Sequence, residues 1–416
     1  MKKNKLLLGL LLLLLLLLLG VGCDRAPGNA TNTGGSVGSS EPATMMEQPF
    51  NFLGIYGSMA ETPEGYYYFR GTLVYYCPRG ESGFVPLCGK PNCAHNDPNC
   101  NAFFQGAHFY LELYDGMLYT VGGGAAEDAL SFVRMKLDGT EHETVSADLK
   151  AYGLNASDYS VSFYFHQGKA YVMYKADEPL LSEQKGDHLI VVDVKDGSSR
   201  EIAADYFREH RMEGIEAIHN GSIFGDACAI QDRFDSSKCK TIELEADSGK
   251  ITELSLPSWG YRDLTDSTIY YFDWDFDGYK AERPGFKEYD RATGRIQEFG
   301  MPVEVENMGS LFYTANHIYL RALGDGEEDT LYILSREYQV LDQISLRKTQ
   351  EIISVTSDCI YLTDPDARRD DYWGDTSILR LDKTQIGSHQ MTPVKVEIKI
   401  PEKEWNPFPE EEEKED

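Results

Sequence analysis

The chain has little positive charge for its size. Its 39 lysine and arginine residues stand against 68 aspartate and glutamate residues, which gives a formal net charge of −29. Nucleic acids and anionic lipid headgroups repel such an acidic protein, so we expect neither as a direct partner. Cations, basic proteins and neutral glycans remain as classes of partner.

The chain also lacks an apolar run long enough to cross a membrane. The longest run, Leu6–Leu19, falls short of the roughly 20 residues that a spanning helix needs. It follows Lys2, Lys3 and Lys5 and leads into small residues and Cys23, which is the order of an export signal. We therefore predict a signal peptide over residues 1–22 and a protein that works outside the cytoplasm.

Cys23 ends this segment in a way that resembles a bacterial lipobox, where the cysteine is diacylated and becomes the new first residue. Gly20 stands where lipoboxes usually carry leucine. We predict lipidation at Cys23 and anchoring in the cell membrane through diacylglycerol and palmitate chains. The alternative is an export signal without lipid, in which Cys23 is incidental.

The familiar catalytic motifs are absent from the sequence. It contains no Gly-x-Ser-x-Gly, no His-Glu-x-x-His, no phosphate-binding loop and no dinucleotide fingerprint. Paired carboxylates for glycoside cleavage leave no local signature when they come from distant segments. The sequence therefore favours a non-catalytic binding protein, with a glycan hydrolase or lyase as the alternative.

Composition divides the mature chain into three parts. Residues 23–48 are rich in Gly, Ser, Thr and Asn and predict a flexible linker, which would hold the domain about 25–30 Å from its anchor. Residues 401–416 end in Glu410–Glu413 and predict an acidic, disordered tail. Residues 49–400 lie between them, and the 26 tyrosines and 19 phenylalanines of the whole chain are enough for a sizeable core.

A repeat runs through residues 49–400. A pair of turn residues is followed by a β-rich run, and the closing aromatics are Tyr68, Tyr119, Tyr171, Phe224, Tyr270, Tyr319 and Tyr361. The steps between them are 51, 52, 53, 46, 49 and 42 residues. A second hairpin follows the first, most clearly in Phe132–Gly139 and Leu189–Gly197. Two hairpins in each repeat predict an all-β propeller of seven four-stranded blades, with six or eight as alternatives.

Three cysteines and a histidine crowd into the link between the first and second blades, as Cys88, Cys93, His95 and Cys100. On the lipobox, this loop and the repeat, the chain resembles a family of propeller-like lipoproteins from Gram-positive anaerobes. These carry a similar Cys-x-Lys-Pro-x-Cys-x-His segment after their first blade. The resemblance implies a propeller fold and an extracytoplasmic location but no reaction, because the biochemical role of the family is not established.

The residues of this loop could form either of two kinds of cross-link, or staple, between its two ends. Three thiolates and one imidazole could bind a tetrahedral zinc ion. An exported chain also forms disulfides, and a Cys93–Cys100 or Cys88–Cys100 bridge would close the loop equally well. Free thiols are the third alternative. We expect a staple of one kind or the other rather than a catalytic cysteine.

Two further sites follow from spacing. Cys228 and Cys239 end one predicted strand and begin the next, within disulfide reach across an antiparallel pair. Asp273, Asp275 and Asp277 have the spacing of a calcium loop, with Gly278 at the sixth position. Pro284 stands where that loop needs its glutamate, and a strand running into a turn is the alternative interpretation.

The expected ligand of the propeller is an extracellular glycan, peptide or protein, which the sequence does not name.

Overall fold

The computed structural model describes residues 58–81, 83–104, 108–122, 129–148, 152, 159–176, 186–232, 238–256, 261–273, 285–363, 377–387 and 394–398. The chain divides between Ala43 and Thr44, and every described residue belongs to the second unit. The predicted signal peptide, the linker with Cys23 and the acidic tail lie outside the described residues.

Seven four-stranded antiparallel sheets form a ring, so the predicted seven-bladed β-propeller is confirmed. Blades 1 and 2 contain β1 (Ser58–Glu61), β2 (Gly65–Arg70), β3 (Leu73–Pro78) and β4 (Gly83–Pro86), then β5 (His108–Tyr114), β6 (Met117–Gly122), β7 (Ala129–Lys136) and β8 (Glu143–Asp148). Blades 3 and 4 contain β9 (Tyr159–His166), β10 (Lys169–Ala176), β11 (His188–Asp193) and β12 (Ser199–Ile202), then β13 (His210–His219), β14 (Ser222–Ala229), β15 (Lys240–Glu245) and β16 (Ile251–Leu254).

The remaining blades follow the same order. Blades 5 and 6 contain β17 (Tyr261–Leu264), β18 (Thr268–Asp273), β19 (Gly285–Asp290) and β20 (Ile296–Gly300), then β21 (Met308–Tyr313), β22 (His317–Ala322), β23 (Glu328–Ser335) and β24 (Val340–Arg347). Blade 7 contains β25 (Ile352–Val355), β26 (Cys359–Thr363), β27 (Ser377–Asp382) and β28 (Val394–Ile398). Among the described residues, the short helix α1 (Ala204–Phe207) and the 3-10 turns Ile230–Asp232 and Lys383–Gln385 lie between strands.

The repeat seen in the sequence corresponds to one strand of each blade. All seven closing aromatics lie on the second strand of their blade, where the flanking sheets cover both faces. The turns that precede them are tight. In Asp115-Gly116 and Asn220-Gly221 both residues have positive φ, from 46 to 78°, which matches the right-handed twist of the strands.

The core lies between the blades rather than in one central mass. Each cluster of buried apolar side chains joins neighbouring sheets, as where Phe132 of blade 2 packs with Val172 of blade 3. The largest cluster joins blades 7, 1 and 2 and contains Tyr361, Tyr68 and Leu118. Because every blade buries its faces against two others, no blade is expected to fold alone.

The ring closes without exchanging a strand, since each blade consists of four consecutive strands. Instead the outermost strands of the first and last blades pair in parallel, with Gly83 opposite Glu397 and Phe84 opposite Ile398. Inside this edge the ring of Tyr361 packs against the rings of Tyr66 and Phe84, with centroids 5.8 and 6.2 Å apart. We call this junction of blades 7 and 1 the seam.

A polar network completes the seam at the turns. Arg79 forms ion pairs with Glu61 of its own blade and with Asp358 of blade 7, at 2.8 Å in the second case. Tyr66 donates its hydroxyl hydrogen to Asp358, and the backbone amide of Ser357 donates to Glu61 at 2.9 Å. The guanidinium of Arg79 therefore connects two carboxylates that lie almost 300 residues apart in the chain.

Candidate metal centre

The cysteine loop runs from Leu87 to Phe104, and both of its ends are tied to blade 1. Its first residue donates its amide hydrogen to the Val74 carbonyl at 2.8 Å, and Val74 donates in turn to Ala102 at 2.9 Å. Phe104 donates to Thr72 at 2.8 Å. The ends of the loop are therefore close together, and the residues between them form a compact unit on β3.

Two reversals bring the loop back on itself. Asn92 and His95 have φ values of 58° and 55°, in the left-handed region that few residues other than glycine adopt. Further along, the Asp97 side chain accepts the Asn99 amide at 2.8 Å, and its carbonyl accepts the Cys100 amide at 3.0 Å. These turns direct the cysteines and the histidine inward while the connecting residues stay in solvent.

The four predicted ligand residues do converge. One ligand atom each from Cys88, Cys93, His95 and Cys100 lies within 4.8 Å of the other three. The Nδ1 atom of His95 lies 3.2 Å from the Cys100 sulfur. None of the three cysteines forms a disulfide. The structure thus places together a Cys₃His set that could hold a metal ion.

Backbone amides surround the sulfurs. Those of Lys90 and Asn101 hydrogen-bond to the Cys88 sulfur, and that of Ala102 to the Cys100 sulfur at 3.4 Å. Burial opposes ionisation of Cys88, but the two amides and the neighbouring thiols outweigh it and lower its pKa. Burial, with Cys93 and Cys88 nearby, raises the pKa of Cys100 to about 12. The surroundings therefore favour the thiolate of Cys88 and oppose that of Cys100.

The loop also contacts blade 2. The His142 Nε2–H group donates to the carbonyls of Asn101 at 2.8 Å and Gly139 at 3.1 Å, and its ring stacks on Phe104 with centroids 5.2 Å apart. Gly139 has φ +78°, and a Cβ there would lie 2.5 Å from the Leu87 carbonyl oxygen. The turn between β7 and β8 thus packs closely on the loop.

The other sequence-predicted sites have different outcomes. Cys228 and Cys239 form a disulfide between β14 and the start of β15, with Cα atoms 4.3 Å apart. Of the predicted calcium ligands, Asp275 and Asp277 lie outside the described residues. Asp273 is buried and forms an ion pair with Lys287 at 2.6 Å.

Two acids with raised pKa values were missed in the sequence. Burial raises the pKa of Asp187 to about 6, although its carboxylate accepts the amides of Ala176 and Met212 at 2.9 and 3.0 Å. Burial alone raises the pKa of Glu112, on the innermost strand of blade 2, to about 8. Neither has a local motif, because burial in the folded protein causes both shifts. They lie on different blades, and the described residues give them no shared hydrogen bond.

The chain matches no protein-family model and no curated protein. It is similar in structure to a prolyl endopeptidase, with TM-score 0.52 and 10% identity over 86% of this chain and 52% of the other. The propeller domain of the Trilobed protease from Pyrococcus furiosus aligns with TM-score 0.46 and 9% identity, over 82% and 98% of the two chains. TolB from Acinetobacter baumannii aligns with TM-score 0.40 and 12% identity, over 80% and 77%.

These likenesses concern the fold alone, since identity is 12% or lower in all three. The chain spans about half the length of the prolyl endopeptidase that it matches.

Within the described part of the chain, no helix has the length and apolar character needed to cross a membrane.

Proposed function

We propose that this protein is an exported, lipid-anchored propeller that binds an extracellular ligand and does not catalyse a reaction. The observation that carries the proposal is the cysteine loop. Its inner side is held to two blades, while its two outer turns, Gly89–Asn92 and Asn96–Asn99, are exposed. A polar surface whose backbone is already ordered binds a partner at a lower entropic cost than a flexible loop does.

The location follows from residues 2–23, whose basic, apolar and small segments end at Cys23. Acyl chains on Cys23 would insert in the bilayer at about 0.8 kcal/mol for each buried CH₂ group, which makes a two-chain or three-chain anchor stable. Intact-mass measurement of protein extracted from membranes tests this part. We expect a chain that begins at Cys23 and carries acyl mass, and any other start or a mass without acyl groups would refute it.

The second candidate function is hydrolysis or cleavage of extracellular glycans, and Glu112 is the observation in its favour. A carboxyl group with a pKa near 8 is protonated at neutral pH, as a general acid must be. Glycoside hydrolysis also needs a second carboxylate, about 5–9.5 Å away. Burial alone accounts for the raised pKa of Glu112, with no contribution from a second carboxylate among the described residues, so we favour binding.

Of the two candidate cofactors, zinc suits the structure better than calcium. Three sulfurs and an imidazole are ligands that zinc prefers, whereas calcium requires six to eight oxygens. The carboxylate of Asp273 is already neutralised by Lys287. The cofactor in this proposal is therefore one zinc ion, with a structural role.

Glycan and peptide arrays probed with the purified protein test the function. We expect binding that weakens in a Lys90→Ala/Asn96→Ala variant, which alters the exposed loop turns. It should persist in Lys250→Ala, a matched change at an exposed turn of blade 4. Turnover of an arrayed glycan that Glu112→Gln abolishes would refute the binding proposal and support the enzyme.

A further inference from the structure

We propose that Cys88, Cys93, His95 and Cys100 bind one zinc ion, and that this ion locks blade 2 to blade 1. The inference deepens the proposed function, on whose zinc ion it rests, because it assigns that ion to one histidine nitrogen and three sulfurs and gives it a role in joining two blades. Ligand atoms of a tetrahedral zinc lie about 3.8 Å apart when zinc–sulfur bonds are about 2.3 Å. The observed set, within 4.8 Å, needs only a small contraction to reach that geometry.

The geometry also assigns the nitrogen that binds. It is Nδ1 of His95 that lies 3.2 Å from the Cys100 sulfur and so faces the cluster. The backbone of His95 is left-handed, at φ 55°, in a region that few residues other than glycine adopt.

The arrangement of amides favours thiolates over a disulfide. The Lys90 amide donates to the Cys88 sulfur, and the Ala102 amide donates to the Cys100 sulfur. Such donors stabilise the negative charge of metal-bound sulfur, as groups outside the ligand set commonly do. A disulfide would also leave one of the three cysteines and the histidine without a role, whereas a metal uses all four.

The coupling between blades runs through the residues next to Cys100. The Asn101 carbonyl accepts the hydrogen bond from His142 of blade 2, and the Ala102 carbonyl accepts the one from Val74 of blade 1. The proposed ligand Cys100 is thus followed directly by the two residues that contact blades 2 and 1, Asn101 and Ala102. Zinc that holds the Cys100 sulfur fixes both contacts, and its removal should release both.

Metal analysis of the full-length protein tests the site. We expect about one zinc per chain, with an X-ray absorption spectrum of three sulfurs at about 2.3 Å and one nitrogen at about 2.0 Å. His95→Ala and Cys93→Ser should each retain less than about one-tenth of the zinc after gel filtration, because both remove a ligand. His219→Ala, a histidine at a turn of blade 4, should keep it.

Hydrogen exchange of the wild-type protein before and after chelation tests the coupling without relying on variants that could misfold. Residues 101–104 and 139–142 should lose protection, and residues 222–229 of blade 4 should not. Protein that holds no zinc as purified and takes up none under reducing conditions would overturn the site. Exchange that rises equally in all blades would overturn the lock. A negative ligand array with zinc present would refute only the proposed function.

Discussion

Arg79 at the seam is the residue whose removal should weaken the ring most specifically. Its guanidinium bonds Glu61, Asp358 and the hydroxyl of Tyr66, and it also donates to the Thr62 carbonyl at 2.9 Å. Because the ring closes without an exchanged strand, its ends are joined by contacts that include this network, the aromatic packing, two parallel residue pairs and the hydrogen bond from Arg380 to the Glu81 carbonyl. We consider the substitution Arg79→Met, which keeps the aliphatic stem and removes the charge.

The magnitude follows from the burial of the partners. The Glu61 side chain is 8% exposed, so removing the guanidinium of Arg79 leaves a buried carboxylate without its cationic partner, which is costly. Asp358 is 38% exposed, and solvent replaces part of its interaction with Arg79. Breaking a fully buried pair costs about 3–5 kcal/mol. Arg79 is itself 32% exposed and Ser357 still donates to Glu61, which reduces the cost. We expect Arg79→Met to lower the free energy of unfolding by about 2–3 kcal/mol, of which the lost pair with Asp358 contributes up to about 1 kcal/mol.

Thermal unfolding of the purified protein measures this. At about 2 °C for each kcal/mol in a domain of this size, Tm should fall by about 4–6 °C. Arg134→Met is the matched control, since Arg134 pairs with the 59% exposed Glu143 inside blade 2. Its expected cost is below about 1 kcal/mol. Equal losses in the two variants, or no loss in Arg79→Met, would refute the view that the seam depends on this network.

Three more outcomes follow from the structure. Because burial raises the pKa of Glu112 to about 8, the wild-type protein should lose stability as pH rises from about 4.5 to 8. Tm measured across that range should fall less in Glu112→Gln, and parallel curves would contradict the shift. Gly139→Ala should lower both Tm and zinc retention, whereas Gly116→Ala, at φ +72° but in open space, should affect only Tm. Reduction of the Cys228–Cys239 disulfide should lower the free energy of unfolding by about 2–3 kcal/mol. The Tm of a Cys228→Ser/Cys239→Ser variant should then not change with reductant, and a change would assign the effect to another site.

Much of the fold could be predicted because its signal is local and repeated. Each closing aromatic marks a second strand, and turns such as Asp115-Gly116 mark the hairpins. The four ligand residues could be predicted for a related reason, since they lie within 13 positions and loop closure over so short a span is easy. The sequence alone does not choose between a metal and a disulfide, because both would use the same closely spaced cysteines.

The seam and the two acids could not be predicted. Glu61 and Ser357 meet only after seven blades have closed, and nothing around either residue distinguishes it from other polar turn residues. Glu112 is the one acid in the otherwise largely apolar strand β5, and its pKa rises because it is buried in the folded protein. Such effects are absent from any short window of sequence, since they depend on groups that are distant in the chain.

The sequence by itself determined the repeated hairpins, the propeller class and the identity of the four residues in the cysteine loop, because period-two alternation, turn chemistry and short spacing are properties of neighbouring residues. It predicted seven blades but left six or eight as alternatives, and the tertiary structure decided the count. Only the tertiary structure decided how the ring closes, which groups are buried with altered pKa values, and that the loop bonds to both blade 1 and blade 2. Those properties arise from burial and from contacts across blades, which exist only once all seven sheets have packed together.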